Sequence, residues 1–332
     1  MSKSFTAFRI HLVNDEIVAR FDQINLDDLA AGDVVVRVRH SSVNYKDALA
    51  ATGEGRILRR YPLVGGIDLA GTVETSADRR FAPGDEVLVT GCGLSETHDG
   101  GYAEYARVPG DWVIPMPEGF DSKTAMCVGT AGFTAALAIH RMEHNGLAPD
   151  KGPVVVTGAS GGVGSLAIDM LAGRDYEVVA ISSKSGAREY LMQIGATRVL
   201  SPAEIDLGSR PLEKTQWAGA IDNVGGDLLT WLTRTVDYWG SIASIGLAAS
   251  PQLQTTVLPF ILRGVNLLGI NSSATPRDVR LDVWRRISGD LRPRNLATMC
   301  ESVELAGLPA VFDKYMKGKV TGRMIVEIAS LD

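Results

Sequence analysis

The chain has 332 residues, 45% of them hydrophobic and 22% charged, and a formal net charge of −6. That length suggests roughly two domains and a core large enough to need no disulfide or metal staple, and the negative balance disfavours a nucleic-acid surface, leaving room only for a local basic patch. The three cysteines, Cys92, Cys127 and Cys300, are far apart, fit no disulfide framework and point to a reducing compartment. Met1 to His11 lacks the apolar stretch of a signal peptide. The longest uncharged stretch, Tyr238 to Leu262, carries Pro251, Pro259 and several serines, a strand-and-loop composition and not a membrane helix. The expectation is a cytoplasmic globular protein with no membrane and no nucleic-acid partner.

The first third reads as strands and turns. Val34 to Val38 is a β-branched run entered through Ala31-Gly32-Asp33, and Gly71-Thr72-Val73 starts another. Pro83-Gly84-Asp85 is a turn before the strand Glu86 to Val89, and Tyr102 to Val108 and Trp112 to Ile114 are further short strands. This pattern predicts a small, irregular β-barrel. Thr124 to His140 is Ala-rich and helical in pattern. From Pro153 strands and helices alternate: strand 154–156, helix 163–173, strand 177–181, helix 187–194, and strands 197–200, 219–224, 241–246 and 265–270. Alternation of this kind predicts an α/β, doubly wound parallel sheet. A helix follows over 275–291, and Val320 to Ile328 reads as a strand returning to the first domain.

The strongest local signal is Val154-Val155-Val156-Thr157-Gly158-Ala159-Ser160-Gly161-Gly162-Val163-Gly164. A glycine-rich turn follows an apolar strand and opens a helix. The missing side chains let backbone approach a pyrophosphate, and the helix N-terminus offers N–H donors and a favourable dipole. Ser160, Gly161, Gly162 and Val163 are therefore candidate cofactor contacts. The second strand ends in Ser182-Ser183-Lys184, where an NAD-preferring site would usually carry an acid. Two hydroxyls, Lys184 and the later Arg188 can donate to a dianionic 2′-phosphate, so the cofactor expected is NADPH. The alternative is a solvated basic helix start. Gly246 and Leu247 follow the fifth strand and Ile270 the sixth; strand carboxyl ends meet the cofactor in this fold, which assigns these three to nicotinamide contacts.

At these residues the chain resembles the medium-chain dehydrogenase/reductase superfamily, along nearly its whole length. Further motifs carry the likeness: Ser42-Val43-Asn44-Tyr45-Lys46-Asp47, Gly65 to Val73, Gly100-Gly101-Tyr102-Ala103-Glu104-Tyr105 and Gly129-Thr130-Ala131-Gly132-Phe133-Thr134-Ala135. Trp217 to Asp222 and Pro259 to Val265 resemble the zinc-independent branch of acryloyl-CoA reductases and quinone oxidoreductase-like proteins. The resemblance implies a GroES-like β-barrel catalytic domain over 1–124 and 296–332 and a Rossmann NADPH-binding domain over 125–295. Where the superfamily's zinc enzymes carry a Cys and a Gly-His-Glu, this chain has Asn44 and Gly66-Ile67-Asp68, and three cysteines cannot build the four-cysteine structural zinc lobe. No metal is expected.

A metal-free nicotinamide site suits hydride delivery to an activated alkene, whose carbonyl oxygen gathers negative charge while its α-carbon needs a proton. The resemblance places Tyr45 beside the nicotinamide, as proton donor or as packing under the ring; an unshifted phenol near ~10 suits donation, and water could also serve. Arg323 is the second catalytic candidate, its fork holding a carbonyl, carboxylate or phosphate, with a surface ion pair as the alternative. Asn44 and Lys46 flank Tyr45 as substrate or cofactor ligands, and Asp47 braces the loop. The branch pattern adds Thr130 and Gln216 as cofactor contacts. Arg56, Arg59 and Arg60 are either cations for the phosphates of an acyl-CoA substrate or a solvated cluster. Three functions stand: reduction of acryloyl-CoA to propionyl-CoA with NADPH, a quinone or enone reductase, and a nonenzymatic NADPH-binding protein that serves through interactions, RNA among the partners weighed. The branch implies a homodimer joined through the edge strand at Val265 to Ile270, which is apolar enough to need cover.

Overall fold

A computed structural model describes residues 4–328; Met1 to Lys3, which open the segment weighed above as a leader, and residues 329–332 lie outside the described residues. Alternating apolar residues build the hairpin β1 (Phe5–Val13) and β2 (Glu16–Ile24), which turns through Asn14 and Asp15 at φ 51° and 65°. Adjacent left-handed residues of this type give the turn whose twist matches the strands. The chain continues through β3 (Val34–Val43), α1 (Tyr45–Thr52), β4 (Leu63–Val64), β5 (Asp68–Ser76), β6 (Glu86–Thr90), β7 (Tyr105–Val108) and β8 (Ile114–Pro115). Helix α2 (Ser122–His144) follows, broken by Gly129 at φ 52° and ψ −159°.

Next come β9 (Val154–Val156), α3 (Gly162–Ala172), β10 (Val178–Ile181), α4 (Arg188–Gln193), β11 (Arg198–Leu200), β12 (Trp217–Asp222), α5 (Gly226–Thr235), β13 (Val236–Ser244), α6 (Leu258–Arg263) and β14 (Asn266–Gly269). The described chain ends with α7 (Arg277–Ser288), α8 (Leu296–Met299), β15 (Cys300–Glu304), α9 (Leu308–Met316) and β16 (Arg323–Glu327). No helix among the described residues is long and apolar enough to cross a membrane.

The chain divides into two units. The first comprises the residues through Thr130, Ser273–Trp284 and those from Cys300 onward; the second comprises Ala131–Ser272 and Arg285–Met299. The sequence reading drew its limits at 124 and 296 and kept the helix at 275–291 with the second domain, whereas α7 divides between the units.

In the first unit, a sheet in the order β15-β16-β3-β5-β6-β8, with β7 also on β3, accompanies the smaller sheet β2-β1-β4. Strand β16 pairs antiparallel with β3, Met324 opposite Val43, so the late strand completes the early sheet. The core gathers Phe8, Val36, Val89, Tyr102, Phe312 and Val326. Gly71 is required at the β3–β5 contact, because a Cβ there would fall 2.0 Å from the Arg37 carbonyl oxygen. Helix α1 interrupts this unit where the sequence predicted only strands and turns, and α9 and β15 were not expected.

In the second unit the sheet runs β11-β10-β9-β12-β13-β14, parallel throughout. Numbered from β9, this is the 3-2-1-4-5-6 order of a Rossmann sheet. Strands β9, β10 and β12 are buried along their whole length, as expected of parallel strands covered on both faces. The Trp217 and Trp231 rings meet edge-on at 5.9 Å within this core.

Candidate active site

The glycine turn of the second unit is fastened from below. Thr157, at the end of β9, donates its hydroxyl to Asp222 Oδ1 at 2.6 Å and accepts from the Asn223 amide at 3.0 Å. Asn223 Nδ2 donates to the Thr157 carbonyl at 2.8 Å, so the ends of β9 and β12 are locked together. Burial pushes the Asp222 carboxyl up, against the Thr157 hydroxyl and the Gly225 and Val224 amides, which favour its charged form. The chain then reverses through Gly158 at φ 57°. Gly164 lets α3 close onto the turn, since a Cβ there would lie 2.6 Å from the Gly158 oxygen. Gly161 caps α3 without a side-chain hydrogen bond. The first amides of α3 thus carry no side-chain acceptor, the arrangement in which a helix N-terminus holds a phosphate.

Ser160 and Ser182 are buried, their hydroxyls 3.1 Å apart, and the Lys184 amide donates to Ser182 Oγ at 3.2 Å. Ser183 is exposed, and burial lowers the Lys184 ammonium from its ordinary range. Arg188 gives one Nη to the Val199 carbonyl at 3.0 Å. Gly246, Leu247 and Ile270 lie past the carboxyl ends of β13 and β14, on the same end of the sheet as the glycine turn.

Gln216 does not. It precedes β12 and donates its amide to the Thr235 carbonyl at the amino end of the sheet. A six-residue strand spans roughly 20 Å, which corrects its assignment as a cofactor contact. The rule about strand carboxyl ends, extended to β12, points instead to Asn223. Its buried Oδ1 finds no hydrogen-bond partner among the described residues.

The first unit holds a different construction, centred on Arg323. This side chain is 1% exposed. Its Nε donates to the Cys127 carbonyl at 3.0 Å, Nη1 to the Val43 carbonyl and Asn44 Oδ1 at 3.2 Å each, and Nη2 to Ser42 Oγ at 2.8 Å and the Met126 carbonyl at 3.3 Å. A guanidinium has five N–H donors, and all five are engaged. The expectation that Arg323 offers a free fork to substrate is thereby corrected, and so is the alternative of a surface ion pair. Arg323 is a positioning residue.

Gly129 makes this possible. A Cβ there would fall 2.6 Å from Arg323 Nη2, 2.8 Å from Asp68 Oδ2 and 2.9 Å from Ser42 Oγ. The break it introduces frees the carbonyls of Met126 and Cys127, and the guanidinium caps them as a cation caps a helix C-terminus.

Asp68 is the counterpart. It is wholly buried, and its Oδ2 accepts from Ser42 Oγ at 2.6 Å and Asn44 Nδ2 at 2.8 Å. Thr130 gives it both amide and hydroxyl, the hydroxyl at 2.5 Å from Oδ1. Both Thr130 donors are therefore spent on Asp68, which limits this residue to accepting from a cofactor. Ser42 and Asn44 each bond Arg323 on one side and Asp68 on the other, a relay that fixes the Asn44 amide.

Asn44 also caps α1 in a reciprocal box with Asp47: the Asn44 amide donates to Asp47 Oδ2 at 2.8 Å. Asp47 Oδ1 accepts from the Ile67 amide at 2.9 Å. Burial, then the neighbouring Asp68 charge, raises the Asp47 carboxyl to about 7, against the Asn44 and Ile67 donors. Asp47 does brace the loop, as expected. Lys46, weighed as a substrate or cofactor ligand, donates to Glu96 Oε2 at 2.6 Å. Tyr45, the first residue of α1, stays 47% exposed, an uncommitted ring on a fastened helix start.

These two constructions are those of the two-domain nicotinamide-dependent oxidoreductases. Residues 30–118 match the family described as the alcohol dehydrogenase GroES-like domain, and residues 162–288 the family described as zinc-binding dehydrogenase. The acrylyl-CoA reductase AcuI of Ruegeria pomeroyi is 47% identical over 311 residues, covering 93% of this chain and 94% of its own. YhfP of Bacillus subtilis, whose name assigns it provisionally to the quinone oxidoreductases, is 46% identical over 99% of this chain and 100% of its own. The yhdH oxidoreductase of Salmonella enterica, solved in complex with NADP, superimposes with a TM-score of 0.95 at 46% identity, covering 98% of this chain and 100% of that one. The chain belongs to the medium-chain dehydrogenase/reductase superfamily, in the group that contains AcuI and YhfP.

The zinc named in one family description does not fit this site. Asn44 and Ile67 supply neither thiolate nor imidazole, the Asp68 oxygens are filled by N–H and O–H donors, and the Arg323 guanidinium already bonds the same Ser42 and Asn44.

Removing the hub tests its structural role. Arg323→Ala strands three carbonyls, a hydroxyl and an amide in a buried site, and should cost about 3–5 kcal/mol of unfolding free energy. Urea denaturation checks this. A variant of unchanged stability with a raised KM alone would return Arg323 to substrate binding.

Proposed function

We propose that this chain reduces acryloyl-CoA to propionyl-CoA with NADPH as reductant. The observation that carries this reading is the likeness to AcuI along nearly the whole chain, at an active site where no zinc fits. When bound, NADPH supplies a hydride to the electrophilic β-carbon of the conjugated thioester. The α3 N-terminus, with Ser160, Gly161, Gly162 and Val163, is assigned to its pyrophosphate, and Gly246, Leu247 and Ile270 to the nicotinamide. Asn223 Oδ1, a buried acceptor, suits a ribose hydroxyl. Tyr45 is assigned to lining the site; its phenol donates to the thioester oxygen, where charge gathers. Asn44 belongs to the same site as the residue that holds Tyr45 at the start of α1. Exposed Arg56, Arg59 and Arg60 are the cations assigned to the coenzyme A phosphates.

A quinone or enone reductase is the second reading, favoured by the equal likeness to YhfP. Both readings use the same hydride donor, and isotope placement separates them from idle cofactor binding. With deuterium at the transferable position of NADPH, the label should appear on the methyl carbon of propionyl-CoA. Label at the α-carbon, or fast benzoquinone reduction without acryloyl-CoA turnover, would overturn the assignment.

NADPH preference rests on Ser182, Ser183, Lys184 and, more distantly, Arg188. The solved relatives differ: the Salmonella protein was crystallised with NADP and YhfP with NAD. A charge-assisted bond from Lys184 to the 2′-phosphate is worth about 1.5–3 kcal/mol, so Lys184→Ala should raise the KM for NADPH roughly 10-fold or more and leave that for NADH nearly unchanged. Equal losses would remove Lys184 from the phosphate site.

The same reading includes a homodimer. Strand β14 is an edge of the parallel sheet, and Trp239 and Ile261 are 76% and 69% exposed on neighbouring elements β13 and α6. A second copy adding its own β14 would satisfy the edge and cover these side chains. Light scattering should give twice the chain mass of 35.4 kDa; a monomer at working concentration refutes it.

A further inference from the structure

The loop between β6 and β7 is held in an unusual shape. Cys92 and Ser95 are non-glycine residues at φ 56° each, beside Gly91 at 68° and Gly93 at 95°. Left-handed backbone of this kind persists only where surrounding contacts over-determine it, and it gathers at ligand clamps. Here the contacts are many. The Gly93 carbonyl accepts from the amides of Glu96, Thr97 and His98 at 3.0–3.1 Å, and the Cys92 amide donates to the Ser273 carbonyl at 3.2 Å. Arg280, 1% exposed, ties the Ser273 carbonyl to that of Thr90 at the end of β6.

Against this loop lies a cavity of about 420 Å³, wholly within the first unit, with Cys92, Glu96, Thr97, Trp112, Ser273 and Arg277 in its wall. That volume falls in the range of small-molecule sites, roughly 300–1,000 Å³. Two acids in the wall are already neutralised: Glu96 Oε2 accepts from Lys46 at 2.6 Å, and Asp111 Oδ1 from Arg80 at 2.7 Å. Arg277 spends Nη1 on the Asp111 and Val113 carbonyls, at 2.7 and 2.8 Å, which fixes the guanidinium and leaves Nε and Nη2 uncommitted among the described residues. A guanidinium edge so held matches two phosphate oxygens. His98 packs edge-on with Trp112, ring centroids 5.1 Å apart, and an indole is a stacking platform for a purine. The cavity also adjoins a cation assigned above to the substrate. The Glu96 carbonyl accepts from the Arg59 amide at 2.7 Å, and Arg59 Nε stands 4.0 Å from Glu96 Oε1.

We propose that this cavity is the subsite for the adenosine 3′-phosphate of coenzyme A, with the adenine on Trp112 and the 3′-phosphate on Arg277, while Arg56, Arg59 and Arg60 face the pyrophosphate. The proposal rests on the acyl-CoA reading above and adds to it the part of the substrate that is recognised. The 3′-phosphate and the pyrophosphate are carried by one ribose, so cations reached from one loop serve both.

The test is a calorimetric titration of the full-length protein, read beside tryptophan fluorescence, with NADP in excess so that the glycine turn is filled. Coenzyme A should bind and quench the emission, and 3′-dephospho-coenzyme A should bind roughly 10-fold more weakly, the loss of one charge-assisted pair. Arg277→Ala should bind the two forms alike, and Arg277→Lys should regain part of the difference. Trp112→Phe should lose the quench and keep the preference for the 3′-phosphate, which decides the adenine contact even if Arg277→Ala folds poorly. Equal affinity of the wild type for the two forms, a preference that survives Arg277→Ala, or a full quench in Trp112→Phe would each overturn the proposal. Binding with the expected pattern but no turnover of acryloyl-CoA would defeat the reduction and leave the subsite; turnover without that pattern would do the reverse.

Discussion

A single buried guanidinium sets the order of the first unit. Arg323 reaches from the last described strand into a space bounded by β3, the start of α1 and the break in α2, and satisfies acceptors on all three. A buried cation with every proton bonded tolerates little displacement, because each lost bond leaves a polar group without water. Ser42 and Asn44 inherit that rigidity and pass it to Asp68, which in turn holds Thr130. The cradle has the same topology as a metal site, one positive centre surrounded by oxygens, but its charge belongs to the chain. Its strength is therefore indifferent to metal supply, and its geometry is planar and forked, not tetrahedral.

The second unit solves a different problem by omission. Its glycine turn leaves the helix amides of α3 without side-chain acceptors, and its fastening, through Thr157, Asp222 and Asn223, lies beneath the turn and not within it. The surface offered to a ligand is backbone, while side chains hold the backbone in place. This division matches what a pyrophosphate asks for, close approach and many small dipoles.

Legibility in the sequence followed the range of the interactions. The parallel sheet was readable because each buried strand is a short apolar run and each connection a local pattern; β9, β10 and β14 sit within a residue or so of their expected limits. The glycine turn was readable because its chemistry is contained in eleven consecutive residues. The β1–β2 hairpin escaped, although Asn14-Asp15 between alternating runs was an available signal. Helix α1 escaped because it is only eight residues long and its cap, Asn44 with Asp47, follows directly on the end of β3. Arg323 was recognised as important, but its role was misread: nothing near it in sequence announces that its partners lie at residues 42–44 and 126–127. Gln216 was misplaced for the opposite reason, a pattern match that ignored which end of the strand it occupies.

The cradle also carries an implication for biosynthesis. Ser42 and Arg323 are 281 residues apart, and at roughly 5–20 residues per second a ribosome needs on the order of 10–60 s to make the stretch between them. Throughout that interval the nascent first unit has an open edge on β3 and an Asp68 carboxylate without its relayed counter-charge. The second unit, contiguous from Ala131 to Ser272 apart from one late segment, is translated entirely within the wait. Vectorial synthesis thus reverses the order in which the chain is written: the nucleotide-binding half can mature first, and the half that emerged earliest is sealed only when β16 arrives. An incomplete chain lacking that strand would present an adhesive sheet border to its neighbours, which makes truncation near residue 323 a route to aggregation and not to a smaller enzyme.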